Sequence, residues 1–277
     1  MTAHINIVAE KADKVASNLS RLMPNISGPK NSKRDMLATV VYSTLLYGVP
    51  TWIETVKYAK YRNRLERVQR KMMIRQCRSY RTVSTVALQV ISRTLPIELM
   101  AEERTKIYYK RKESININEF KTQLREELMG RWQSKWDQEG AKGQWTKLLI
   151  PNIEPWANRT HGEMTYELSQ FITGHGNFGF YLNRMKIQES DNCIYCNESD
   201  TAEHMVLECR NWNTQRSRCC QQLGTPRMDS SSIVKEMLKD KQRWDIINGF
   251  ITDIFRKKLA DTRRIQSALE SNNSNPD

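Results

Sequence analysis

Four residues have the types and spacing needed to grip a soft metal ion: Cys193, Cys196, His204 and Cys209. Cys193-Ile-Tyr-Cys196 holds two thiols two residues apart, so a single tight turn can aim both at one ion. His204 follows after seven residues and Cys209 after four more. A His and a Cys five positions apart can meet the same ion from the start of a helix. Three sulfurs and one imidazole nitrogen form a closed tetrahedral set that suits one zinc ion. With all four positions filled by protein there is no place for a reacting water, so the ion is expected to be structural.

Four other groups of residues have types that could do chemistry. Cys219 and Cys220 lie near the cluster, but adjacent thiols chelate one ion poorly, and they are read as structural. His161-Gly-Glu163 and Gly174-His175-Gly176 are read as a helix N-terminus and a helix–helix turn rather than as acid–base groups. Trp132 and Trp136, at helical spacing, are read as core rather than as stacking surfaces for bases.

The second signal is charge. The chain of 277 residues carries 44 Lys+Arg against 31 Asp+Glu, a formal net charge of +13. Residues 1–112 hold 22 of these cations and 8 of the acids, a net of +14, so the whole excess lies there. Such asymmetry points to a polyanionic partner, with nucleic acid ahead of an anionic membrane surface. The densest stretch contains Lys57, Lys60, Arg62, Arg64, Arg67, Arg70, Lys71, Arg75, Arg78 and Arg81, with Glu66 as its one acid. On a helix, Lys60, Arg64, Arg67, Lys71, Arg75 and Arg78 fall three or four apart and form a stripe beside Leu65, Val68 and Met72. Like charges so placed destabilise an isolated helix by about a few tenths of a kcal/mol per pair. A phosphate backbone removes that repulsion and releases counterions, which ties affinity to salt. The stripe positions a backbone and reads little sequence.

The elements that must carry these residues read as a mainly α protein. Apolar residues at helical spacing predict helices over 3–22, 34–47, 57–78 and 118 onward, the last with Phe120, Leu124, Leu128, Trp132 and Trp136 on one face. Thr82 and Ser84 offer caps for a short helix through Ile91, and Pro96 opens another. Pro151 and Pro155 predict an irregular stretch over 140–160. Further helices are expected at 162–173, 178–186, 210–222 and 231–260. The uncharged run 36–53 is read as a buried helix broken near Pro50, not as a membrane span.

Several activities are excluded by what the sequence lacks. There is no Asp-Asp pair, hence no Tyr-x-Asp-Asp polymerase centre, and no glycine-rich phosphate loop, Gly-x-Ser-x-Gly elbow or His-Glu-x-x-His motif. Six cysteines, five of them after residue 190, do not form a secreted disulfide framework. The first residues contain no apolar leader core, which predicts a reducing, non-secretory setting.

Five segments together resemble the C-terminal region of reverse transcriptase polyproteins from insect non-LTR retrotransposons of the type-1 ribosomal-DNA group. They are LLYGVPTW (45–52), YRTVSTVAL (80–88), LPIELMAEER (95–104), LIPNIEPWANRTHGEMTYELSQFITGHGNFGFYL (149–182) and CIYCNESDTAEHMVLECRNW (193–212). The resemblance implies a basic thumb-like helical region over 1–112, a Trp-rich helical linker over 113–190 and a zinc knuckle over 191–212. C-terminal helices over 213–265 and a disordered tail over 266–277 complete the division. The family's ligand positions carry over onto Cys193, Cys196, His204 and Cys209. The resemblance further implies partners: template–primer, RNA–DNA hybrid, RNA or target DNA, and the palm and endonuclease of a longer polyprotein. It also implies a nuclear location with assembly on RNA in the cytoplasm. Without the paired aspartates this chain is expected to be inactive as a polymerase by itself. The alternative is a domesticated zinc-containing structural or protein-interaction module that has lost nucleic-acid binding.

Overall fold

Helical periodicity in the sequence is matched by helices in the structure, a computed structural model that describes residues 2–113, 116–138, 140 and 142–273. Among the described residues there is no strand, only one isolated antiparallel bridge between Asn192 and Ser199. The chain divides into two compact units, Met1–Arg159 and Thr160–Asp277. The division falls inside the stretch expected to be a linker.

The first unit is built on three helices: α1 (Thr2–Arg21), α2 (Asn31–Leu45) and, after a short α3 (Val49–Trp52), α4 (Ala59–Gln76). Ala9, Ala12 and Ala16 give α1 a seam of small residues that lets α2 and α4 approach closely. Ile5, Val41, Leu45, Leu65, Val68 and Met72 fill the space between them. Gly48, at φ +65°, turns the chain after α2, and Pro50 sits in the first turn of α3, where its missing N–H costs nothing. A 3-10 turn (Ile53–Lys57) follows, so the charged helix starts at Ala59, two residues later than expected.

Arg34, fully buried at the start of α2, donates to the carbonyl oxygens of Pro24, Pro29 (2.8 Å), Met23 (3.4 Å) and Arg75 (2.5 Å). It thereby ties the 23–30 loop to the end of α4. Helix α5 (Thr85–Ser92) is capped by Ser84, whose Oγ accepts the Ala87 N–H, as the sequence suggests. Helices α6 (Ile97–Lys110) and α7 (Ile117–Gln138) then pack together, burying Leu124, Leu128, Trp132 and Trp136 while Phe120 stays half-buried.

The stretch 140–160 is more ordered than its prolines suggest. It forms α8 (Gln144–Leu149) and α9 (Ile153–Asn158), with Pro151 between them. Pro155 falls in the first turn of α9, where no intrahelical acceptor awaits its nitrogen.

In the second unit α10 (Tyr166–Thr173) begins four residues later than expected. Gly162 has φ +94°, and its Cα lies so close to the Trp244 ring that a Cβ there would meet it at 2.5 Å. Helices α11 (Gly179–Arg184) and α12 (Asn213–Leu223) flank the cysteine cluster. The expected helix 231–260 is instead two, α13 (Ile233–Lys239) and α14 (Lys241–Asn273), because Asp240 is extended and its Oδ1 accepts the Arg243 N–H at 2.8 Å as an N-cap. α14 continues past 266, where a tail was expected; residues 274–277 lie outside the described residues.

No single helix among the described residues is long and apolar enough to cross a membrane. The pair formed by α2 and the segment 49–57 passes that test together but is bent by 49°. Ala38, Val41, Tyr42, Leu45, Val49 and Trp52 of that pair are buried within the first unit.

Candidate metal centre and basic surface

The Cys193–Cys196 turn is shaped by its backbone. Asn192 pairs with Ser199, the Cys193 N–H reaches the Glu198 carbonyl at 2.7 Å, and the Asn197 N–H returns to the Cys193 carbonyl at 3.0 Å. Asn197 closes the turn at φ +64°, a conformation that Asn tolerates better than most residues. The Asn192 side-chain amide donates to Asn197 Oδ1 at 2.8 Å and braces the hairpin.

The other two candidate ligands bracket a π-helical turn, His204–Glu208, which His204 opens and Cys209 follows as its C-cap. In it the Cys209 N–H bonds the carbonyl of His204, five residues back, at 2.7 Å. A π turn bonds residues five apart rather than four, and its wider winding brings His204 and Cys209 nearer to one face than an α turn would. Thr201 Oγ1 accepts the His204 N–H at 3.0 Å and fixes where the turn starts.

These turns bring all four predicted ligands together, with one donor atom from each lying within 4.8 Å of every other. The Cys193 and Cys209 sulfurs are 3.8 Å apart, those of Cys196 and Cys209 3.9 Å, and Cys196 Sγ lies 3.1 Å from His204 Nε2. Sulfurs at the corners of a tetrahedron with metal–sulfur bonds of about 2.3 Å lie about 3.8 Å apart. The set can therefore hold one metal ion. Cys193, His204 and Cys209 are buried and Cys196 is half-buried. Burial pushes the Cys193 thiol up, and pushes Cys209 up to about 12, with Cys193 beside it adding to the rise. A dication bound between them would supply the charge that stabilises them as thiolates. His204 Nδ1 faces Glu208 at 3.9 Å, on the side away from the sulfurs.

The support behind the cluster was not read from sequence. Asp200, buried, accepts the Gly179 N–H at 2.6 Å and pairs with Lys258 of α14, also buried. Lys258 further donates to the Asn177 carbonyl at 2.9 Å. A signal for it exists in α14, where Ile247, Ile251, Ile254 and Lys258 share one face and put a cation on an apolar stripe. Tyr195, between the first two cysteines, stacks edge-on against Trp212 and donates to Asp261 at 2.7 Å. Arg216 of α12 donates to the Cys209 carbonyl at 2.8 Å and the Val206 carbonyl at 3.0 Å, holding the π turn from below. Cys219 and Cys220 are buried in α12 and lie outside the cluster.

The basic residues are distributed unevenly. Lys57, on the 3-10 turn, pairs with Glu54. Arg64 pairs with Glu10 of α1 at 2.8 Å, and Lys71 pairs with Asp13 and contacts Ser17 Oγ at 3.1 Å. Arg70 bonds the Arg81 carbonyl at 2.6 Å and Thr85 Oγ1 at 3.1 Å. Arg78, at φ +56°, holds the carbonyls of Pro29 (2.9 Å) and Asn25 (3.2 Å). Lys60, Arg62, Arg67, Arg75 and Arg81 enter no ion pair among the described residues, and Lys60, Arg67 and Arg81 are exposed. Lys60, Arg64 and Arg67, with Asn6, Tyr61 and Asn63, line a cavity of about 330 Å³.

Fold and site together define a helical protein with a cation-rich N-terminal unit and a Cys-Cys-His-Cys cluster that can hold a metal ion. Over 273 residues, 93% of the chain, it is 24% identical to the putative 115 kDa protein in type-1 retrotransposable element R1DM of Drosophila melanogaster, covering 26% of that protein. It is 27% identical over 225 residues (74% of the chain, 54% of the relative) to the retrovirus-related Pol polyprotein from type-1 retrotransposable element R1 2 of Nasonia vitripennis. Against the R1 Pol polyprotein of Bradysia coprophila it is 24% identical over 229 residues, 76% of the chain and 22% of the relative. The chain is similar to insect R1 type-1 retrotransposon polyproteins, and it spans between 22% and 54% of the length of these three. No family model and no solved structure matches it.

Proposed function

We propose that this chain is the nucleic-acid-holding part of a retrotransposon RNA-directed DNA polymerase, gripping template–primer and RNA or target DNA during target-primed reverse transcription. The observation that carries the reading is the α4 stripe: exposed Lys60 and Arg67 and half-buried Arg75 have no carboxylate partner among the described residues, on the unit that holds the whole charge excess. Such a surface neutralises phosphates and yields a steep salt dependence. The partners are nucleic acid and the palm and endonuclease of a longer polyprotein, and polymerase chemistry belongs to the palm. A nuclear location, with assembly on RNA in the cytoplasm, follows from the same reading.

The metal is proposed to be zinc, held by Cys193, Cys196, His204 and Cys209. With four protein ligands it supplies no reactive water; it cross-links the 193–196 turn to the π turn.

The test is charge reversal of Lys60, Arg67 and Arg75 to Glu, with binding to an RNA–DNA hybrid measured across a salt series. The variant is expected to lose affinity at low salt and to flatten the log–log salt slope by about three charges. Unchanged affinity and slope would remove the grip. A second reading, a zinc-containing structural or interaction module without nucleic-acid binding, draws on Arg64, Arg70, Lys71 and Arg78, whose charges already serve the fold. Wild-type protein that binds no hybrid at any salt concentration would favour it.

A further inference from the structure

The chain's aromatic residues are split by exposure. Trp52, Trp132, Trp136, Trp156, Trp212 and Trp244 are buried, whereas Tyr108 and Tyr109 at the end of α6 are about half exposed, at 46% and 51%. Their rings meet edge to face, 5.3 Å between centroids. Lys112 lies over both, at 4.5 Å from the Tyr108 ring and 5.8 Å from that of Tyr109. Arg104, Tyr108 and Arg111 recur at steps of four and three and so share one face of α6 and the turn after it. Together with Lys121 of α7 they line a cavity of about 500 Å³.

The nearby acids are already committed: Glu103 pairs with Arg125 at 3.2 Å and Glu113 with Lys110 at 2.8 Å. Arg104, Arg111, Lys112 and Lys121 enter no ion pair among the described residues. Exposed aromatic faces interleaved with unpaired cations form a surface suited to unpaired bases. Each base has a π face to stack, and each phosphate finds a cation beside the ring. A paired duplex offers no free base face to Tyr108 or Tyr109, so this patch and the α4 stripe select different forms of nucleic acid.

We infer that Tyr108 and Tyr109 form a stacking platform for single-stranded nucleic acid, with Arg104, Arg111, Lys112 and Lys121 holding its phosphates. On binding, a base takes the place of the Lys112 ammonium over the rings and the ammonium moves to the adjacent phosphate. The platform is separate from the α4 stripe and holds a strand on its way to or from the duplex.

The full chain would be titrated against a short fluorescein-labelled oligo(dT) and, separately, against an RNA–DNA hybrid. The Tyr108→Ala/Tyr109→Ala variant is expected to bind oligo(dT) about tenfold more weakly and the hybrid as wild type does. Tyr108→Phe/Tyr109→Phe keeps both ring faces and should restore oligo(dT) binding. Arg111→Glu/Lys112→Glu should flatten the single-strand salt slope by roughly one unit or more. Wild-type protein that ignores oligo(dT) at low salt, an alanine variant with unchanged oligo(dT) affinity, or equal losses on both ligands would each overturn the platform. Hybrid binding that persists through those outcomes leaves the α4 reading standing, so the two failures are separable.

Discussion

Replacing Lys258 with Met tests the support behind the metal knuckle. The Lys258 and Asp200 side chains are 4% and 3% exposed and face each other as a buried ion pair. Asp200 Oδ2 also takes the Gly179 N–H at the start of α11, while Oδ1 has no hydrogen-bond partner. Methionine fills most of the lysine volume, so little cavity forms and the loss is electrostatic. Removing one partner of a buried pair strands the other charge and costs about 3–5 kcal/mol. Against a total stability of about 5–15 kcal/mol that is a large fraction, and for a unit of this size it lowers the melting temperature by roughly 10 °C or more. The adjoining Asp200→Asn change keeps an oxygen for Gly179 and removes the stranded charge. The double variant Asp200→Asn/Lys258→Met is therefore expected to recover most of the loss. The assay is urea unfolding of the zinc-saturated full chain, read by circular dichroism for wild type, both single variants and the double. A Lys258→Met cost under about 1 kcal/mol, or a double variant as unstable as the single, would refute the argument that the pair is desolvated and coupled.

Elemental analysis should find one zinc per chain; a chelator should lower the calorimetric melting temperature, and should do nothing further to Cys209→Ala, which lacks a ligand already. Gly162→Ala should destabilise the chain by about 1–3 kcal/mol in denaturant unfolding, since φ +94° disfavours any Cβ and the Trp244 ring occupies its place. Burial, then the neighbouring Glu98, hold the Glu66 carboxyl above the usual range. Its folded pKa thus exceeds the unfolded one: the protonated form favours the fold at acid pH, and that contribution is lost as pH rises through the folded value. Glu66→Gln should therefore be modestly more stable than wild type at neutral pH, with the difference vanishing in acid, as followed by unfolding midpoints across a pH series.

The clustering of Cys193, Cys196, His204 and Cys209 was legible in the sequence because its geometry is local. A two-residue gap closes by a tight turn and a four-residue gap by a π turn, whatever the rest of the chain does. The helices were legible for the same reason, since apolar spacing reports each face directly. The break at Asp240 was not, because a capping side chain there outweighs an unbroken apolar pattern on both sides. Lys258 escaped notice because its partner is 58 residues away and a lone charge in an apolar stripe does not name what neutralises it. Gly162 was read as helical because only the Trp244 ring, brought there by folding, excludes a helix.

The fate of the basic stripe follows from that same distinction between local and distant information. Lys60, Arg64, Arg67, Lys71 and Arg75 share a face of α4, as their spacing requires, yet Glu10 and Asp13 on α1 claim two of the five. Those pairs do not remove the two cations from service. Arg64 and Glu10 are 40% and 65% exposed, Lys71 and Asp13 37% and 47%, and pairs so wetted are each worth about 0–1 kcal/mol. A phosphate arriving beside Lys60 and Arg67 can draw Arg64 or Lys71 away from its carboxylate at that small cost. In the structure Glu10 and Asp13 offset part of the like-charge repulsion along α4, and under the proposed reading a polyanion would take over that role. Removing them by Glu10→Gln/Asp13→Asn should thus tighten hybrid binding at low salt, with the gain shrinking as salt screens the surface. Hybrid affinity that fell or stayed level in that variant would mean that Arg64 and Lys71 belong to the α1–α4 seam and not to the grip.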